Sequence, residues 1–403
     1  MRTKKVNFEN EKGEKLSARL ELPANQRPHT YAVFAHCFTC SKNLTAVKNI
    51  SRALSIRGIA VLRFDFTGLG ESEGDFADTN FSSNIQDLIR AAEYLKDEYA
   101  APSILVGHSL GGSAVLAAAG EIPSVKAIAT IGAPASPEHV KHHFETEIDD
   151  IEEEGVAEVN IGGRSFTVKK QFIEDIREKR LKPKIRELEA ALLIMHAPQD
   201  DIVEISNATQ IYKAARHPKS FVSLEGADHL LSDKKDSRYT GEMIACWSER
   251  YIDLPEREKL KSEKEVVARL GEEGFTTDIA VRQHGLTADE PEEVGGNDFG
   301  PSPYELLSAG LGACTVMTMQ MYARRKKWDL HEVKVHLEHY KDYAEDMERC
   351  QDSDSKVDHF ERIIEMEGDL DQDQKERLLE IADKCPVHRT LKGDIKIVTT
   401  HRE

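Results

Sequence analysis

The segment Ile104-Leu105-Val106-Gly107-His108-Ser109-Leu110-Gly111-Gly112 limits the fold more than any other stretch of this 403-residue chain. A short apolar run passes without a loop into an alanine-rich stretch, Ser113-Ala114-Val115-Leu116-Ala117-Ala118-Ala119, of helical composition. A strand that becomes a helix within so few residues brings the two backbones close together. The crowded positions then need glycine, and the central serine is lifted clear of the sheet. It stands at the positive end of the new helix. The surrounding sequence repeats the same alternation. Apolar runs at Tyr31 to Ala35, Ile59 to Phe64, Ser103 to Val106, Ala127 to Ile131 and Ala190 to Met195 read as strands. Helical spacing follows at Ser41 to Arg57, Asn80 to Lys96 and from Leu110. Strands alternating with helices predict an α/β fold with a parallel-type sheet covered on both faces.

The alternation breaks between about Pro137 and Leu188. This insert carries an acidic run, Asp149-Asp150-Ile151-Glu152-Glu153-Glu154, read as a solvated helix face. It then carries two strand-like runs around Gly162-Gly163, read as a hairpin. Together they predict a small cap over the sheet. A charged stretch with Pro255, spanning 255–263, reads as a linker between a first domain at 1–254 and a second at 264–403. The second domain changes pattern. Strand-like segments at Lys264 to Leu270 and Phe275 to Arg282 precede an apolar helix from Ser302 to about Lys326. Strands at Leu330 to Tyr340 and Asp358 to Glu367, a helix at Gln372 to Lys384 and a last strand at Asp394 to Thr399 complete an α+β arrangement.

The net charge of −18 argues against nucleic acid or an anionic membrane as partner. No apolar run approaches the ~18 residues that span a bilayer. The N-terminal stretch Met1 to Phe8 is basic but has no apolar core of a signal peptide, so a cytoplasmic location is expected. In that compartment the six cysteines are expected to be free, reactive or buried rather than paired.

A serine nucleophile at position 109 requires a base, and the base requires an orienting carboxylate, in the chain order Ser, Asp/Glu, His. The apolar run ending at Met195 leads into His196-Ala197-Pro198-Gln199-Asp200-Asp201, and the next one ends in Gly226-Ala227-Asp228-His229. With these residues the region from Val6 to Leu254 resembles the α/β-hydrolase superfamily. By that resemblance Ser109, Asp200 and His229 form the catalytic set, with Asp201 the alternative acid. The remaining histidines, His108 and His139, His142 and His143, read as packing or surface residues. The oxyanion donors are expected at the backbone N–H of Leu110 and of Phe38, each worth roughly 3–4 kcal/mol. Relatives often read H-G-F where this chain reads His36-Cys37-Phe38. The cysteine narrows the space near the acyl group, so short-chain esters are the expected substrates. Cys37-Phe38-Thr39-Cys40 has C-x-x-C spacing, but no second ligand pair lies near enough for zinc. Its setting is not that of a thioredoxin-like motif, and it reads as small buried residues. No metal or organic cofactor is expected.

In the second domain Cys314 lies mid-helix among small and apolar residues, where a buried thiol is ordinarily inert. Cys385 precedes Pro386, which opens a short helix, with His388 and Arg389 near, a setting that favours thiolate. Gly300-Pro301-Ser302-Pro303-Tyr304-Glu305-Leu306-Leu307, the helix to Cys314, and Cys385-Pro386-Val387-His388 resemble the OsmC/Ohr family. The resemblance implies an organic hydroperoxide reductase with Cys314 attacking, Cys385 resolving and an external thiol as reductant. It also implies an intertwined homodimer. The supporting glutamate of the best-studied members is displaced to Glu305, and their first-loop arginine is missing, with Arg282 and His284 as possible substitutes. These departures keep open a second reading, a dimerisation module without peroxidase activity. Cys246 reads as core packing and Cys350 as incidental in a polar loop.

Overall fold

The computed structural model describes residues 2–23, 28–37, 40–143, 146–161, 164–252, 260, 264–272, 274–343 and 356–401. The chain divides into two compact units, Met1–Lys259 and Leu260–Glu403. The expected linker at 255–263 and Cys350 lie outside the described residues, apart from Leu260.

In the first unit the strands are β1 (Arg2–Glu9), β2 (Lys15–Leu22), β3 (Thr30–Ala35), β4 (Ile59–Phe64), β5 (Ile104–His108) and β6 (Ala127–Ile131). β7 (Val156–Ile161) and β8 (Arg164–Lys169) belong to the insert, and β9 (Ala191–His196) and β10 (Lys219–Ser223) return to the main sheet. Among the described residues that sheet has eight strands in the order β1-β2-β4-β3-β5-β6-β9-β10. β1, β2 and β4 pair antiparallel, and every pair from β4 through β10 is parallel. Strands β4, β5, β6 and β9 are buried along their whole length, as parallel strands covered on both faces must be.

Helices α1 (Thr45–Ile56), α2 (Phe81–Glu98), α3 (Leu110–Ala118), α4 (Ile148–Glu154), α5 (Lys170–Glu178), α6 (Leu181–Glu187), α7 (Ser206–Ala214) and α8 (Lys234–Ser248) supply those covers. Val47, Ile50 and Leu54 of α1 and Ile244 and Ala245 of α8 bury one face of the sheet. Leu88 and Leu95 of α2 and Val115 and Leu116 of α3 bury the other. The insert joins the second core. Ile151, Val159, Val168, Phe172 and Ile176 pack into it, and the Asp175 carboxylate accepts the Ser82 N–H at 2.8 Å at the start of α2. The acidic run forms α4, whose Asp149, Asp150, Glu153 and Glu154 are exposed while Ile151 turns inward. Cys246 departs from its expected burial. α8 presents Gly241, Ile244, Ala245 and Ser248 inward, and Cys246 falls on the exposed side.

The chain passes from β3 to β4 on one side and then to β5 on the other, so the order reverses between β3 and β5. Open α/β sheets hold their ligands outside the carboxyl ends of the strands at such a point.

The second unit has a three-stranded sheet, β11 (Val266–Leu270), β12 (Thr277–Val281) and β13 (His284–Ala288), and a long hairpin, β14 (Asp329–Tyr343) with β15 (Lys356–Asp369). Its helices are α9 (Pro303–Lys326), α10 (Gln372–Ala382) and α11 (Pro386–Lys392). Ser302 and Glu305 close a capping box on α9 and Pro303 occupies its first turn. Met319, Ala323, Leu330, Leu378 and Ala382 form a small core. The strand expected at Asp394 to Thr399 does not form. That segment pairs with no strand among the described residues, and Ile397 is 84% exposed and Val398 72%. A strand needs a neighbour for its backbone groups as well as an alternating pattern, so pattern alone does not make this segment one.

Candidate active site

β5 ends at His108, and Ser109 takes φ 55°, ψ −127° before Leu110 opens α3. This left-handed backbone costs about 1–3 kcal/mol for a residue with a side chain. The turn is packed to contact. A Cβ at Gly107 would come 2.4 Å from the Gly111 carbonyl oxygen, and one at Gly111 would come 2.4 Å from the carbonyl oxygens of both Ala35 and His36. The Ser109 N–H donates to the Ile131 carbonyl at 2.8 Å, which ties the elbow to β6.

Above the elbow, Ser109 Oγ lies 3.0 Å from His229 Nε2, and His229 Nδ1 lies 2.7 Å from Asp200 Oδ2. Asp200 comes from the loop after β9, and His229 from the loop after β10. The other carboxylate oxygen of Asp200 accepts the N–H groups of Ile202 at 3.0 Å and Val203 at 2.8 Å. Burial acts to raise the Asp200 pKa. The His229 hydrogen bond, the Val203 N–H, the His229 charge and the Ile202 N–H outweigh it, so the net shift is downward and the carboxylate stays ionised. Asp201 is exposed and makes no such contact with His229 among the described residues. A hydroxyl, an imidazole and a carboxylate in this relay suit nucleophilic attack with proton transfer. As first residue of α3, Leu110 has an N–H with no intrahelical acceptor, open to an oxyanion. Phe38, the second expected donor, lies outside the described residues.

The loop after β3 departs from expectation. Cys37 and Cys40 form a disulfide, with Cα atoms 5.3 Å apart. A turn in which the Cys40 N–H donates to the Cys37 carbonyl at 3.2 Å brings the two side chains within bonding reach. Reading the pair as two small reduced residues missed that local turn. The loop then enters a buried charge cluster. The Lys42 N–H donates to Asp65 Oδ1 at 2.7 Å and its ammonium contacts Asp65 Oδ2, while the Arg63 guanidinium contacts the Lys42 carbonyl and the Glu21 carboxylate.

In the second unit Cys385 is buried as the N-cap of α11, and its Sγ accepts the His388 N–H at 3.3 Å. Thr315 Oγ1, on the residue after Cys314, lies 3.7 Å from the same sulfur. Arg362 of β15 closes the cluster. Its guanidinium donates to Thr315 Oγ1 at 3.0 Å, to Asp383 Oδ1 at 2.7 Å and to His388 Nδ1 at 3.0 Å. Burial, and after it the Arg362 charge, lowers the His388 pKa, which suits a neutral ring whose Nδ1 accepts. Cys314 is half-buried on α9 and is not bonded to Cys385. The three expected supports sit elsewhere. Glu305 accepts the Ser302 N–H at 2.6 Å in the α9 cap. Arg282 and His284 are exposed at the turn from β12 to β13. Among the described residues none of the three bonds to either cysteine.

The model of the alpha/beta hydrolase family matches residues 32–237, just over half of the chain. The chain belongs to that family. An OsmC-like protein model matches residues 295–400, so an OsmC-like domain follows the hydrolase domain along the chain. It is similar to the esterase domain of a Rhodothermus marinus protein, with 51% identity, a TM-score of 0.53, and coverage of 62% of this chain and 99% of that one. Est1E of Butyrivibrio proteoclasticus with ferulic acid bound is 21% identical with a TM-score of 0.51 over 61% and 98% of the two chains, a likeness of fold. The mitochondrial palmitoyl-protein thioesterase of Mus musculus is 29% identical over 216 residues, 52% of this chain and 69% of the relative.

Several residues at the hydrolase's site carry no sequence signal of their role. His108 is buried and its Nε2 donates to the His229 carbonyl at 2.7 Å, clamping the loop of the base. Burial, then the neighbouring His229 charge, pulls its pKa down to about 3, so it stays neutral. Gly132 has φ +53°, and a Cβ there would stand 3.2 Å from His229 Nδ1 and 3.3 Å from Asp200 Oδ2. Arg362 is one charged residue among many in β15, and only the fold sets it beside Cys385.

Proposed function

We propose that the N-terminal domain is a serine carboxylesterase acting on short-chain esters, with Ser109, His229 and Asp200 as its catalytic set. The observation that carries the reading is the unbroken relay from Ser109 Oγ through His229 to Asp200, with steps of 3.0 and 2.7 Å. Ser109 Oγ attacks the ester carbonyl while His229 Nε2 takes its proton and passes it to the leaving alkoxide. The N–H groups of Leu110 and Phe38 hold the oxyanion. Water then cleaves the acyl-enzyme by the same route, releasing the acid. The Rhodothermus marinus relative, named for an esterase domain, supports oxygen esters, and the thioesterase relative keeps thioesters within the same chemistry. The disulfide-closed loop beside the elbow supports a short acyl group. Nitrophenyl esters of increasing chain length test this: turnover is expected to be highest for acetate and butyrate and at least about tenfold lower for palmitate, a cost of ~1.4 kcal/mol. Equal turnover across the series overturns the short-chain assignment, and none at any length overturns the esterase.

For the OsmC-like domain the proposed activity is reduction of organic hydroperoxides. The Cys314 thiolate breaks the O–O bond, leaving a sulfenic acid and an alcohol, and Cys385 condenses with it to a disulfide and water. An external thiol restores both. The Arg362, Thr315 and His388 cluster around Cys385 supports this reading. Cys314→Ser and Cys385→Ser are each expected to abolish thiol-dependent consumption of cumene hydroperoxide. Unchanged consumption in both leaves the domain as a dimerisation module, a second reading with its own support. α9 exposes Leu307, Met317 and Met321, and the 394–400 tail exposes Ile395, Ile397 and Val398, surfaces that a second copy of this domain would cover. A homodimer joined through this domain accompanies either reading.

A further inference from the structure

We infer that His108 is a positioning residue for hydrolysis at Ser109: its Nε2–H grips the main chain of His229 and so holds the base at reacting distance from the nucleophile. The inference rests on the esterase reading of that site and deepens it by a residue outside the relay itself.

Two adjacent residues hold the same histidine. Ser109 Oγ lies 3.0 Å from Nε2 of the His229 ring, and His108 Nε2 lies 2.7 Å from the His229 carbonyl. One contact reaches the side chain that takes the proton. The other reaches the backbone from which that side chain hangs. The elbow therefore sets the place of the base as well as that of the nucleophile. The turn that carries His229 is compact by itself. Leu231 is buried at φ 52°, and its N–H donates to the Asp228 carbonyl at 3.1 Å. The Asp228 carboxylate accepts the Ser232 N–H at 2.7 Å. These bonds stay within residues 228–232, so they shape the turn without tying it to the elbow. The His108 bond ties its main chain across 121 residues, while Asp200 holds the ring at 2.7 Å.

The His108 ring suits this task. Facing a carbonyl, Nε2 acts only as a donor, so the neutral ring carries its proton there. Nδ1 is buried and has no hydrogen-bond partner among the described residues, so a second proton on it would be desolvated and unpaired. Burial and then the His229 charge, which pull the His108 pKa down to about 3, agree with a single neutral tautomer. The donor thus stays in place through turnover. It also adds no charge beside the His229 ring, whose centroid lies 5.2 Å away.

A misplacement of 1 Å in a catalytic group costs roughly 10²-fold in rate. With Asp200 still on the ring, loss of the main-chain grip is expected to lower kcat by about tenfold and leave KM within about twofold. The test uses the full chain and a short-chain nitrophenyl ester, with rates counted per site titrated to completion by a serine-directed phosphonate. The variants are His108→Leu, His108→Asn and His108→Gln. A glutamine amide nitrogen reaches about as far as Nε2, whereas an asparagine stops near Nδ1, short of the carbonyl. The expected result is a loss of about tenfold in kcat for His108→Leu and His108→Asn, with His108→Gln recovering to within about threefold of the wild type. In proton NMR the far-downfield resonance of the Nδ1–H between His229 and Asp200 is expected to broaden or vanish in the first two and to persist in His108→Gln. If His108→Leu does not fold, His108→Asn against His108→Gln decides. A wild-type kcat in His108→Asn, or equal losses in His108→Asn and His108→Gln, overturns the positioning role and leaves the esterase reading standing. Absence of hydrolysis by the wild type overturns the esterase reading and the inference with it.

Discussion

Ser109→Ala is expected to lower kcat for a short-chain nitrophenyl ester by at least about 10³-fold, as loss of a serine nucleophile does in enzymes of this chemistry. The size follows from Ser109 Oγ being the one hydroxyl, among the described residues, that bonds to the imidazole. Ser113, one turn along α3, is fully buried and its hydroxyl is engaged with the Pro134 carbonyl at 2.8 Å. The substitution keeps the Cβ, so the strained backbone at φ 55° sees the same steric environment and the fold is expected to hold. What remains is the background from bound water and the N–H of Leu110, which in comparable sites still exceeds the uncatalysed rate by roughly 10³–10⁴. The measurement is kcat and KM side by side with circular dichroism and melting temperature. A serine-directed phosphonate gives a second readout, labelling the wild type at Ser109 and leaving the variant unlabelled. A variant that melts like the wild type and keeps more than about a tenth of kcat, a loss below ~1.4 kcal/mol of barrier, removes Ser109 from the mechanism.

The elbow was legible because it depends on local crowding. Gly107, Gly111 and Gly112 each face backbone or a side chain within 2.6 Å of where a Cβ would stand, so a short window of sequence records the geometry. The strands of the first unit were legible for a similar reason. Ile59 to Phe64 and Ala127 to Ile131 are buried along their length and carry almost no polar residues. Features made by contacts between distant segments left no such mark. His108 meets the His229 carbonyl across 121 residues, and Arg362 meets Thr315 across 47, and nothing local distinguishes either from its neighbours. Cys37 and Cys40 failed for another reason. Their spacing was visible, but whether they pair depends on a turn set by Cys40 N–H and the Cys37 carbonyl. The tail at 394–399 shows the converse. Its alternation reads as a strand, yet a strand also needs a neighbouring strand bonded to it, which pattern does not record.

Asp200→Asn is expected to cost about 10⁴-fold in kcat, whereas Asp201→Asn changes it by less than about twofold, within the ~0.5 kcal/mol typical of an exposed substitution. Two adjacent acids in one loop look alike in sequence, and the structure separates them by their hydrogen bonds. Asp200 Oδ1 is taken by the Ile202 and Val203 N–H groups, so Oδ2 is the atom left for His229 Nδ1 at 2.7 Å. An asparagine that keeps its carbonyl on the two backbone donors must turn its NH₂ toward His229. Nδ1 then becomes an acceptor, the ring proton moves to Nε2, and Nε2 can no longer take the proton of Ser109. The opposite rotamer places the NH₂ against two N–H donors, which costs the hydrogen bonds that hold the loop. His196 does not rescue the variant. Its Nε2 donates to the Val203 carbonyl at 2.6 Å, and burial lowers its pKa so that it stays neutral. Because the wild-type carboxylate has its pKa lowered, it remains charged through the neutral range and holds the imidazolium as it forms. The deciding measurement is kcat for both variants at neutral pH with KM followed separately. A larger loss in Asp201→Asn than in Asp200→Asn would transfer the role to the neighbouring acid and break the relay drawn here.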